Sequence, residues 1–105
     1  MDADLNRAER VEAARAELRR AVMGAIGDAM RQAGVSPMTV LGLAAMAVGS
    51  IYQEMAQAHH GPGRCCCGWE PDAAADIEAL QTVLAATAAP TPAASLLGMR
   101  AIGQA

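Results

Sequence analysis

Five soft donor side chains, His59, His60, Cys65, Cys66 and Cys67, fall within nine residues of a 105-residue chain otherwise rich in small aliphatic residues. Imidazole and thiolate are the ligands of zinc and of copper(I), so the first chemistry this run suggests is the binding of a thiophilic metal, with zinc as the leading candidate. If Cys65 to Cys67 are extended, the outer two project to one side and Cys66 to the other. Either His59 or His60 can then reach back across Gly61-Pro62-Gly63 as a third ligand. One serves rather than both, because neighbours at a helix end point about 100° apart. The fourth ligand would be water, Cys66 after a backbone twist, or a donor from a second chain. The spacing is one cluster, whereas established zinc motifs use two separated ligand pairs.

The same residues support two other readings. In the first, they are a solvated helix end followed by small, half-buried thiols kept reduced in the cytosol. In the second, they are redox groups: Arg64 and the start of a following helix supply positive potential that lowers a thiol pKa. A disulfide between adjacent cysteines is strained and therefore easily reduced, which suits a sensor better than a staple. Three cysteines leave one over, available to crosslink two chains or to resolve a sulfenic acid.

Elements that position this loop are legible as helices. The apolar positions Leu18, Val22, Ala25, Ala29 and Ala33 recur at three- and four-residue steps opposite Arg15, Arg19, Asp28 and Arg31, which predicts an amphipathic helix over about 4–33. Glu12 with Arg15 and Glu17 with Arg20 stand three apart and support it. Gly34 supplies a stop. Ser36-Pro37 reads as a cap and first turn, opening a second helix over about 37–59 that is apolar around nearly its whole circumference. After the loop at 59–70, Pro71 suits a first turn, and Ile77, Leu80, Leu84 and Ala88 form the stripe of a third helix over about 71–88. Thr91-Pro92 caps a short last helix over about 92–102 carrying Leu96 and Leu97. The expected fold class is all-α: a single small helical bundle of three main helices plus a short C-terminal helix, self-associating.

Self-association is expected because the chain is 53% hydrophobic yet has no Phe, one Trp and one Tyr, so its core is built from small side chains. Each buried Leu, Ile, Val or Met contributes roughly 1.5–3 kcal/mol and Ala far less, which leaves a monomer little margin over its ordering entropy. Burial between copies, or against another protein, widens it. Tyr52, Trp69, Leu96 and Leu97 are the candidate interface residues, Trp being enriched at interfaces. Trp69 equally suits a plug at the end of a bundle.

The net charge of −3 argues against nucleic acid held by bulk charge. Residues 28–44, DAMRQAGVSPMTVLGLA, resemble a helix-turn-helix of the repressor type, with Gly34 at the turn and Val40 and Leu43 at core offsets. That resemblance implies a second helix that reads bases, yet the reading offsets hold Pro37, Met38, Leu41, Gly42 and Ala45, which carry no hydrogen-bonding side chain. The absence of lysine removes Schiff-base and P-loop lysine chemistry, and neither a paired-carboxylate cleft nor a Gly-rich phosphate loop can be traced. An acidic N-terminus is unlike a secretory signal, and the apolar run Val40 to Val48 is shorter than the ~20 residues of a membrane span. The expectation is a cytoplasmic, non-enzymatic interaction protein of the adaptor, assembly-factor or inhibitor type. A metal or redox sensor built on the loop is the alternative, and a DNA-binding regulator stands third.

Overall fold

The computed structural model describes residues 2–90, and over them the chain forms three α-helices and no strand: α1 (Asp2–Ala33), α2 (Pro37–Gln57) and α3 (Ala73–Ala88). The short helix expected near 92–102, with Leu96 and Leu97, lies outside the described residues. The described residues divide into two compact units, the first ending at Gln57 and the second beginning at Ala58.

The first unit is a helical hairpin. α1 carries Asp2 and Asp4 in its first turn and Arg31 in its last, the placement that the helix dipole favours. Both ion pairs legible in the sequence form, Glu12 with Arg15 at 2.9 Å and Glu17 with Arg20, and Asp28 with Arg31 adds a third. All are exposed, so each contributes only ~0.3 kcal/mol. Gly34 takes φ 64° and donates its N–H to the Met30 carbonyl at 2.9 Å, ending α1 in the left-handed conformation that glycine adopts without a Cβ clash.

Two residues later Ser36 caps α2. Its Oγ accepts the Thr39 N–H at 3.3 Å, and its carbonyl accepts the Val40 N–H at 3.1 Å. Pro37 at the first helical position gives up only a donor that would have been unpaired. The turn therefore juxtaposes the end of α1 and the start of α2, where Ile26, Ala29, Met30, Val35 and Ala44 are half-buried and Val40 is buried at 3% exposure. The rest of the expected α1 stripe is uncovered, with Leu18 and Val22 exposed. A helical period fixes which side chains share a face but not whether a partner covers it: Leu43, Met46, Ile51 and Met55 of α2 are exposed as well, and the half-buried positions of α1 and the buried Val40 cluster at the turn end.

Because packing in this unit centres on Val40, Val40→Ala is expected to lower its unfolding free energy by about 1.5 kcal/mol, the loss of two buried carbons. Thermal unfolding followed by circular dichroism measures it. A change below about 0.3 kcal/mol would show that the hairpin does not rest on this contact.

In the second unit α3 starts two residues later than the proline suggests. Asp72 is the N-cap, its carboxylate accepting the Ala75 N–H at 3.3 Å, while Asp76 Oδ2 accepts the Asp72 N–H at 3.1 Å. Two helix-start donors are satisfied reciprocally, and Pro71 stands outside the helix. Likewise α2 ends at Gln57 and not at His59, which releases the histidine from helical geometry.

Candidate metal centre

The loop between α2 and α3 folds back on itself. Gly61 and Gly63 take φ 74° and 77°, left-handed conformations that flank Pro62 and reverse the chain. The reversal is closed by one backbone hydrogen bond, Cys65 N–H to the Ala58 carbonyl at 3.1 Å, which sets Cys65 alongside the residue that follows Ala58. That residue is His59. The chain bends again at Cys66 and Cys67, and Gly68 at φ 91° lets the Trp69 N–H turn back toward the Cys67 sulfur.

The result brings together His59, Cys65 and Cys67, whose ligand atoms all lie within 4.8 Å of one another. His59 Nε2 already sits 3.1 Å from Cys67 Sγ. A tetrahedral zinc ion with Zn–S about 2.3 Å and Zn–N about 2.0 Å holds its ligand atoms roughly 3.5–3.8 Å apart. Adjustments of up to about an ångström, lengthening the His59–Cys67 edge and shortening any edge near the 4.8 Å limit, bring the triangle to that spacing. Two thiolates and one imidazole are a donor set that zinc and copper(I) accept and that magnesium and calcium do not.

Of the five donors singled out in the sequence, three converge. His60 and Cys66 are exposed and outside the group. The two outer cysteines are in the group although the chain bends at Cys66 and Cys67, and of the two histidines His59 is the one beside them.

Trp69 belongs to this centre. Its indole meets the His59 ring edge-on, with centroids 4.7 Å apart and an interplanar angle of 70°, and both residues are half-buried. The His59 ring thus has an edge-to-face contact with Trp69 and its Nε2 beside Cys67. The Ala58 carbonyl carries no signal of its own in the sequence. A glycine between a cysteine and a tryptophan is the only hint of the turn.

The Cys67 thiol pKa is lowered from its ordinary 9.0 to about 7. Its main cause is the Trp69 backbone N–H, followed by hydrogen bonds from Cys65 and His59, all of which favour the thiolate. The sequence pointed to Arg64 and the following helix as the source of positive potential; the local donors do the work instead. Cys65, Cys66 and Cys67 are all unbridged and exposed.

Elsewhere α2 and α3 expose apolar side chains. Met38, Leu41, Leu43, Met46, Val48, Ile51 and Met55 are exposed on α2, and Ile77, Leu80, Val83 and Leu84 on α3. Tyr52 is half-buried. At the start of α2, Pro37, Met38, Leu41, Gly42 and Ala45 are exposed, so the offsets at which a helix-turn-helix reads bases present no hydrogen-bonding side chain. Among the described residues no helix is long and apolar enough to cross a membrane.

No protein-family model matches the chain, and comparison with curated proteins and with solved structures returns no significant match.

Proposed function

We propose that the chain is a small non-enzymatic interaction protein whose loop binds one thiophilic metal ion, zinc first, through His59, Cys65 and Cys67. The observation that supports this is the convergence of three soft donors within 4.8 Å across an intervening Gly-Pro-Gly reversal. An ion there would hold the loop in one shape, in the way structural zinc contributes folding energy to small domains. With three protein donors, the fourth position is left to water or to a donor from a partner.

Metal content of untagged protein purified under reducing conditions, with accessible thiols counted on the same sample, tests this. One equivalent of zinc, copper or iron with two protected thiols is the expected result. Metal-free protein with three freely titrating thiols, and no uptake on adding zinc, would sink it.

A second reading, in which an adaptor works through its helices without the ion, is favoured by the exposed apolar side chains of α2 and α3. Those surfaces suit another protein or a second copy of the chain, because apolar area is stabilised by removal from water. Changing Cys65 and Cys67 to Ser separates the two readings: partner binding or self-association that survives unchanged belongs to the helices alone.

A further inference from the structure

We propose that peroxide joins Cys65 and Cys67 in a reversible intrachain disulfide, which dismantles the metal centre and makes it redox-gated. This rests on the metal-binding reading above and adds regulation to it. The pairing follows from placement. The ligand atoms of Cys65 and Cys67 lie within 4.8 Å of each other, while Cys66 stands outside the group. A link through Cys66 would also join sequence neighbours, the more strained geometry.

All three thiols are exposed, so a small oxidant has access. His59 Nε2 lies 3.1 Å from Cys67 Sγ, placed to take the proton of that thiol, so Cys67 is the attacking sulfur.

The Cys67 thiolate attacks one oxygen of hydrogen peroxide, the O–O bond breaks, and hydroxide leaves to be protonated to water. The Cys67 sulfenic acid is then attacked by Cys65. The S–S bond forms, the S–OH bond breaks, and the departing hydroxide takes a proton from solvent to leave as a second water. Two thiolates, one peroxide and two protons from solvent thus give one disulfide and two waters. A bridged pair has no thiolate left for the ion, and of the three donors only His59 remains. The ring closed by residues 65 to 67 is small and strained, so a dithiol reductant reopens it readily.

The experiment uses the reduced, zinc-loaded full chain and one equivalent of hydrogen peroxide. Intact mass, peptide mapping and a chromogenic zinc chelator follow the reaction, and dithiothreitol is added at the end. The expected result is a mass lower by two hydrogens, a Cys65–Cys67 link, zinc release in step with that link, and recovery of binding on reduction. Cys66→Ser is expected to respond identically. Crosslinked dimers, links that include Cys66, or sulfinic acid in place of the mass loss overturn the proposal. If the reduced chain takes up no zinc, the metal reading fails at the loading step, which is recorded before peroxide is added.

Discussion

Cobalt(II) added to the reduced chain is expected to give the intense near-ultraviolet band of thiolate-to-metal charge transfer, and Cys67→Ser to weaken binding by about a hundredfold or more. Outer-shell partners of a metal site already cost 10- to 100-fold when removed, so loss of a ligand falls at or beyond that range. Cys65→Ser belongs in the same class. His59→Ala removes the weaker donor and the ring that meets Trp69, and a loss of about tenfold to a hundredfold is expected. His60→Ala and Cys66→Ser are the controls, each within about threefold of the parent chain, because neither residue lies in the group. The contrast within each pair of neighbours carries the test. A model in which any two of three cysteines suffice gives equal losses at 65, 66 and 67. Equal losses, or an equal effect of His59 and His60, would falsify the geometry. Competition with zinc, read as bleaching of the cobalt band, converts the series into zinc affinities.

How much of this was legible in the sequence depends on the range of the interaction. The start of α2 is local: Ser36-Pro37 names a cap and a first turn, and the Ser36 Oγ bond to Thr39 is what forms. The start of α3 is also local, but two devices compete within three residues. The reciprocal bonds of Asp72 and Asp76 satisfy two donors, and a proline at the first turn satisfies none, so the helix begins after Asp72. In α1 the period of Leu18, Val22, Ala25 and Ala29 identifies a helix and a face, not what lies opposite that face. Ala29 finds α2 and Leu18 does not.

At the loop, residue types announce soft-metal chemistry without deciding among donors. The decision comes from the Cys65 N–H meeting the Ala58 carbonyl seven residues back, a pairing that depends on two positive φ angles at once. No local propensity encodes such a closure. The same limit applies to Trp69, which a sequence can offer as an interface anchor or a core plug, while its contact with His59 exists only once the loop has closed.

Alkylation of Cys67 by iodoacetamide is expected to be half-maximal near pH 7, two units below an ordinary thiol, and to show a selectivity that reverses with pH. At pH 7 a thiol with pKa about 7 is about half thiolate, against about one part in a hundred at the ordinary value of 9.0. Lower basicity works the other way: with a Brønsted coefficient of about 0.4–0.5, a thiolate one hundredfold less basic attacks about six- to tenfold more slowly. The population wins at neutral pH, so Cys67 should react about five- to eightfold faster than an unstructured reference thiol. Above about pH 8 the reference thiol gains thiolate while Cys67 has no more to gain, so the reference becomes the faster of the two. His59→Ala should raise the half-point by only part of the interval, because the Trp69 N–H, the larger cause, remains. Peptide-mapped labelling from pH 5 to pH 10 reads both quantities. A Cys67 half-point near 9 would mean that the loop does not present His59 Nε2 and the Trp69 N–H to this sulfur. A half-point near 7 carries a consequence for the metal. Above pH 7 the Cys67 ligand is already deprotonated, and below it each tenfold rise in proton concentration competes with the ion for that sulfur, so affinity should fall as pH drops through 7.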